Sequence, residues 1–158
     1  MFARDGYEVG GLDYSAALVD IAKKVLPADK VRELICAGAA ELPTDKKYDA
    51  TFATGVFSYF DDETYAERVL EKMLSKSLHT VAVLDIYDKA FEAELLAERR
   101  RSIENYDERY RGLSKLFLPR SFFEDFATRH ALKIRFDKYK TTDYINAPYT
   151  YHCFMERS

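Results

Sequence analysis

The run YDATFATGVF, Tyr48 to Phe57, constrains the fold of this chain more than any other: β-branched and aromatic residues dominate it, and no charge follows Asp49. Such a run suits an interior parallel strand, covered on both faces, because the polar alternation of a half-exposed strand is missing. A second run of this kind, TVAVLDI from Thr80 to Ile86, has Asp85 near its C-terminal end. Between the two, Asp61 or Asp62 caps a helix that has Tyr65, Ala66, Val69, Leu70, Met73 and Leu74 on one face and Glu63, Glu67, Arg68, Glu71 and Lys72 mostly on the other. Strand, amphipathic helix and strand make a βαβ unit, the building block of a parallel sheet.

The flanking stretches extend the pattern. Tyr7 to Leu12 and Leu34 to Ala37 are short apolar runs bordered by glycine, each expected as a buried strand. Ser15 suits the N-cap of a helix with Leu18, Ile21, Ala22, Val25 and Leu26 at helical spacing, ending near Leu26 before Pro27. Lys89 to Leu113 is long and charged with loosely helical apolar spacing, which predicts one or two helices over the sheet. After Pro119, Ser121 is expected to cap a helix with Phe122, Phe123, Phe126, Ala127 and His130 near one face. Leu132 to Lys140 and Tyr149 to Glu156 have β character. The loop TTDYINAP between them is too short for a parallel crossover, so the two strands are expected as an antiparallel hairpin at one side of the sheet. The fold class is α/β, and one domain is expected over residues 1–158.

Composition narrows the partners. A formal net charge of −3 gives no general attraction for nucleic acid or an anionic membrane, which leaves small molecules or proteins. No apolar stretch approaches a membrane span, and MFARDGYEVGG has no signal-peptide core, so a cytoplasmic protein is expected. Cys36 and Cys153 are read as reduced, buried residues. His79, His130 and His152 lack metal-ligand spacing, and no metal site is expected. Glu98-Arg99-Arg100-Arg101 with Tyr106, Arg109, Tyr110 and Arg111 interleaves base and aromatic as an RNA surface does, but Glu104, Asp107 and Glu108 interrupt it and favour a solvated, ion-paired helix face.

The order of elements resembles that of the class I S-adenosylmethionine-dependent methyltransferases, whose Rossmann-like sheet is mostly parallel and ends in a reversed strand. GLDYS, Gly11 to Ser15, is similar to the family's second-strand motif, which implies Asp13 as acceptor for the ribose hydroxyls of the cofactor. Asp13 also reads as a polar residue that merely ends a strand, and Tyr14 either packs near the adenosine or covers the sheet edge. GAAELP, Gly38 to Pro43, resembles the segment that meets the adenine and implies Ala39 and Ala40 there. YDATFATGVFSYFDD resembles the fourth-strand segment and implies Thr54 and Gly55 beside the methionine part of the cofactor. FLPRSFFEDFATRHALKI resembles the helix and strand that follow.

The resemblance implies S-adenosylmethionine as cofactor, a small-molecule acceptor, and Tyr59, Asp85, Tyr106 and Tyr110 as acceptor-binding candidates, the last two in a region that often forms a lid. Methyl transfer from a sulfonium needs alignment and desolvation more than acid or base, so no catalytic residue is assigned. Two features depart from the family. Ala39 stands where many relatives carry an aspartate, which weakens adenine recognition. The glycine-rich loop, with the first strand and most of the first helix, has no counterpart, and Met1 to Arg4 resembles the tail of that helix. The expectation is an N-terminally truncated domain lacking roughly 30 to 50 residues, with impaired cofactor binding and self-association through the incomplete sheet. Two alternatives stay open: a non-catalytic Rossmann-like module that pairs with another chain, and a nicotinamide-dependent enzyme, against which the terminal hairpin argues.

Overall fold

Parallel pairing needs crossover helices, and two such crossovers organise this chain. The structure, a computed structural model, describes residues 2–113, 115–140 and 143–157. It divides into two units, Met1–Thr44 and Asp45–Ser158, each with its own sheet.

In the first unit a 3-10 turn at Phe2–Asp5 precedes β1 (Val9–Asp13), α1 (Ala16–Val25), β2 (Val31–Cys36) and a 3-10 turn at Ala39–Glu41. The strands β1 and β2 run parallel with Asp13 opposite Cys36. Ser15 caps α1, its side chain accepting the Leu18 N–H at 3.4 Å, and the helix stops before Pro27 as expected. The burial expected for this unit is not found: β1 and β2 are half-exposed, Leu18, Ile21 and Val25 of α1 are exposed, and Val19 is the buried residue of the helix. A two-stranded ribbon has too little surface to cover a whole helical stripe.

The second unit contains β3 (Tyr48–Thr54), α2 (Glu63–Lys76), β4 (Ser77–Tyr87), α3 (Glu92–Ser102), α4 (Tyr106–Arg109), α5 (Arg120–Arg129), β5 (Leu132–Asp137) and β6 (Thr150–Arg157). Its sheet has the order β3-β4-β6-β5, with β3 parallel to β4 and β6 antiparallel to both neighbours. The βαβ unit and the terminal hairpin are both present, and the expected helical stretch after Lys89 is two helices. Thr141 and Thr142 of the expected loop, and Met1 of the expected helix tail, lie outside the described residues.

Asp62 rather than Asp61 caps α2, accepting the Tyr65 N–H at 2.7 Å. Ala66, Val69, Leu70, Met73 and Leu74 of the predicted stripe are buried, and each large side chain among them contributes about 1.5–3 kcal/mol of transfer free energy. With Phe57, Ile86, Phe123, Phe126, Tyr151 and Met155 they make the core.

Two expectations are corrected here. Among the described residues β3 pairs only with β4, so it is an edge strand rather than an interior one, and Phe52 is 55% exposed. It also ends at Thr54, because Gly55 at φ +66° turns the chain into a 3-10 turn at Phe57–Tyr59. Helix α5 begins one residue before Ser121: Pro119 is its N-cap, and the Pro119 carbonyl accepts the Phe122 N–H at 3.2 Å without a side-chain cap.

Candidate functional site

Near its C-terminal end β4 holds one residue more than its partner β6. The register passes from Val83 opposite Cys153 directly to Ile86 opposite Tyr151, so Leu84 and Asp85 together face His152. Such a bulge re-aims side chains, and Asp85 is held at φ +60°, a region that L-residues other than Asn and Asp seldom adopt. The Asp85 N–H donates to Nδ1 of His152 at 3.1 Å instead of to a ladder carbonyl. An accepting Nδ1 puts the proton of the neutral imidazole on Nε2.

The Asp85 carboxylate ends a directed chain of hydrogen bonds. Arg99 Nη2 donates to Asn146 Oδ1 at 2.8 Å, Asn146 Nδ2 to the Tyr144 hydroxyl at 3.2 Å, and that hydroxyl to Asp85 Oδ2 at 2.8 Å. Every bond points toward the carboxylate, an arrangement in which each strengthens the next. The other oxygen, Oδ1, is buried and has no hydrogen-bond partner among the described residues. The Tyr139 ring packs edge-on against Tyr144, with centroids 4.9 Å apart, and against His152 at 4.4 Å. Burial, with a further contribution from Asp85, pushes the Tyr144 phenol up to about 12 against an opposing bond from Asn146. Burial and then Asp85 also raise Tyr139.

Tyr87, two residues along β4, ties in the remaining aromatic groups. Burial raises its phenol, Arg99 opposes the rise, and Asp85, Tyr59 and Tyr106 add to it. Tyr59, Asp85 and Tyr106, three of the predicted acceptor residues, therefore lie within electrostatic reach of one phenol. The fourth, Tyr110, stacks on Tyr106 with centroids 4.8 Å apart. Tyr59 itself is 72% exposed, with Lys115 Nζ 3.0 Å from its ring centroid. At the end of β3, Thr54 is opposite Leu84 and the Gly55 N–H donates to the Leu84 carbonyl at 2.9 Å. A Cβ on Gly55 would lie 3.6 Å from Asp85 Oδ2, so this glycine borders the carboxylate.

In the first unit Asp13 closes β1. Its Oδ1 accepts the Ser15 N–H at 2.8 Å and its carbonyl accepts the Ala37 N–H at 3.1 Å. Its Oδ2 takes no hydrogen bond among the described residues. The Ala39–Glu41 turn is tied by Glu41 Oε2, which accepts the Gly38 N–H at 3.0 Å, and Ala39 and Ala40 are half-buried in it. Tyr14 is 85% exposed. Its carbonyl accepts a hydrogen bond from the Cys36 thiol at 3.6 Å, and Cys36 is exposed, contrary to the buried role expected for it. Cys153 is buried, and that burial pushes its thiol up.

A family model described as a methyltransferase domain matches residues 1–79, half of the chain. The chain belongs to that family. Its fold is shared with the magnesium protoporphyrin IX methyltransferase of Synechocystis PCC 6803 with bound SAH (TM-score 0.69, 17% identity, 99% of this chain and 66% of that one). The same protein with bound SAM gives a TM-score of 0.66 at 17% identity, covering 99% of this chain and 62% of that one. The N-methyltransferase NodS of Bradyrhizobium japonicum gives a TM-score of 0.61 at 8% identity, covering 95% of this chain and 73% of that one. This methyltransferase domain spans less than two thirds of the length of the Synechocystis protein. No curated protein sequence matches it.

Sequence reasoning on this methyltransferase domain missed Tyr87, Tyr139, Tyr144, Asn146 and His152. For Tyr144 and Asn146 a signal was available in the density of polar and aromatic residues in TTDYINAPY, Thr141 to Tyr149, and Tyr87, Tyr139 and His152 lie outside it. The arginines of α3 include the ion-paired face expected for them, with Arg100 3.0 Å from Asp107 and Arg101 2.5 Å from Glu98. Arg99, read as part of that face, instead joins the Asp85 chain. Among the described residues no group of His, Cys, Asp or Glu is arranged to hold a metal, and no helix is long and apolar enough to cross a membrane.

Proposed function

We propose that this chain carries cofactor and acceptor residues of a cytoplasmic S-adenosylmethionine-dependent enzyme that methylates a small molecule. The observation that carries the reading is that Asp85, Tyr59 and Tyr106 act electrostatically on Tyr87, with Gly55 bordering the Asp85 carboxylate, at the carboxyl end of parallel strands where open α/β sheets take their ligands. S-adenosylmethionine, when bound, supplies an activated methyl group on a sulfonium. Asp13 fits the ribose: one oxygen fixes the Ser15 turn and the other is left to accept hydroxyl donors. Ala39 and Ala40 would border the adenine through backbone and methyl groups. The tyrosines around Asp85 would orient the acceptor and exclude water from it.

A small molecule is favoured over RNA because the net charge is −3 and the arginines of α3 are engaged by Glu98, Asp107 and Asn146. Cofactor binding by these 158 residues is weak in this reading, since their six glycines form no G-x-G-x-G loop and β1 and β3 each have one partner strand among the described residues. Those two free edges also favour a second reading, a module completed by another chain, which sedimentation would reveal as a concentration-dependent dimer.

The test is a two-dimensional NMR titration with S-adenosylhomocysteine at millimolar concentration. Shifts confined to the surroundings of Asp13, Ala39 and Ala40, and lost in Asp13→Ala, support the proposal. Absence of any shift, or shifts elsewhere, overturns it.

A further inference from the structure

Asp85 stands out among the half-buried and buried acids of this chain. Asp88, three residues on, has an ion-pair partner in Arg120 at 3.7 Å and accepts the Ala90 N–H at 3.0 Å. Asp85 has no ion-pair partner among the described residues, and its Oδ1 is buried with nothing to accept from. A carboxylate oxygen withdrawn from water without a donor is costly, and its neighbours do not relieve it. The nearest cation in the network, Arg99, is spent on Asn146. The backbone is also held in the left-handed region, with the bulge and the His152 acceptor fixing it there. Strain and an orphaned acceptor at one residue are the marks of a group kept for a ligand rather than for stability.

The geometry points to Asp85 Oδ1 as the recognition site for a protonated amine on the acceptor molecule, with the Tyr87, Tyr139 and Tyr144 rings forming an aromatic surround. The inference rests on the reading of this cluster as the acceptor site and adds the chemical class of what binds there. Three arguments favour an ammonium over a neutral hydroxyl. The carboxylate carries an uncompensated negative charge, which a neutral donor leaves in place. Aromatic rings hold a cation against their faces, and Tyr139 and Tyr144 meet edge to face with His152 completing the group. Oδ2 is already occupied by Tyr144, so the carboxylate offers one directed contact, which an N–H donor of a charged amine fills with a charge-assisted bond. Tyr87, Tyr139 and Tyr144 are half-buried, so part of this aromatic group faces solvent.

The test uses 2-phenylethylamine, with the near-isosteric 2-phenylethanol as the neutral control, added without any cofactor and followed through the Asp85 and Tyr144 amides and the His152 imidazole by NMR. The amine should give saturable shifts at these positions and bind about tenfold or more tightly than the alcohol. Asp85→Asn, which keeps the shape and removes the charge, should cancel that preference. If Asp85→Asn does not fold, Tyr144→Phe serves instead: it frees Oδ2 without removing the charge, and the amine preference should persist or grow. Equal affinity for amine and alcohol, no saturable shift with the amine, or an unchanged preference in Asp85→Asn would overturn the inference. A chain that binds the amine but not S-adenosylhomocysteine would keep amine recognition at Asp85 and overturn the proposed cofactor site, and the reverse result would do the opposite.

Discussion

The backbone N–H of Asp85 reaches Nδ1 of His152 at 3.1 Å, a side-chain acceptor substituting for the ladder carbonyl that the bulge in β4 removes. This bond, with Tyr144 on the carboxylate, holds Asp85 at φ +60°. The balance of these effects can be measured. Left-handed backbone costs an L-residue about 1–2 kcal/mol, which glycine does not incur. Asp85→Gly loses the Tyr144 bond but sheds both the strain and the orphaned oxygen, whereas Asp85→Ala loses the bond and keeps the strain. Asp85→Gly should therefore be about 1–2 kcal/mol more stable than Asp85→Ala in urea denaturation. Equal midpoints for the two variants would mean that the backbone at position 85 does not penalise an L-residue.

Alkaline titration reports on the same cluster. The Tyr144 phenol is held at about 12, above the ordinary value of 10.0, so the folded state keeps this proton longer than the unfolded chain. Its contribution to stability is present in full below pH 10, declines as pH rises, and is gone above about pH 12. Tyrosinate absorbance should show a late fraction that includes Tyr144, Tyr87 and Tyr139. Asp85→Asn should move part of that fraction earlier, since the Asp85 charge and hydrogen bond both raise Tyr144.

Two buried aromatics separate packing from hydrogen bonding. The Tyr151 hydroxyl donates to the Leu118 carbonyl at 3.0 Å, but that carbonyl also accepts the Lys89 N–H at 3.3 Å and stays satisfied when the hydroxyl is removed. Tyr151→Phe should cost only about 0.5–1.5 kcal/mol. Phe123, fully buried between Phe57 and Tyr151, should cost about 3–5 kcal/mol as Phe123→Ala. Guanidinium unfolding of both variants checks the ordering.

Thiol labelling checks the corrected cysteine. Cys36 is exposed, while Cys153 is buried and its thiol is pushed up by that burial. A disulfide reagent at neutral pH should label one thiol per folded chain quickly, at Cys36, and Cys153 only on unfolding. Fast labelling of both would contradict the packing of β6.

Periodicity made the second unit readable. The α2 stripe of Ala66, Val69, Leu70, Met73 and Leu74 and the antiparallel β5–β6 pair both follow from local pattern and loop length. The burial of β1 and β3 was not legible, because an apolar run states that a strand can be covered on both faces and not that partners are present to cover it. Tyr59, Asp85 and Tyr106, expected from the sequence as acceptor-binding residues, come within electrostatic reach of Tyr87, and their binding role is a proposal. The contacts of Asp85 were not legible: Tyr144 and His152 meet it across 59 and 67 residues of sequence, and Asn146 reaches it only through Tyr144. The bulge that aims Asp85 is a count of one residue between two strands, which no single-strand pattern carries.

Whether the acidic end of β1 serves S-adenosylmethionine is decided by a pair of parallel NMR titrations with S-adenosylhomocysteine and with NADH. S-adenosylhomocysteine should shift the amides of Asp13 and Tyr14, NADH should not, and Asp13→Ala should abolish the response. Shifts at Asp13 from NADH, with none from S-adenosylhomocysteine, would contradict an S-adenosylmethionine site there.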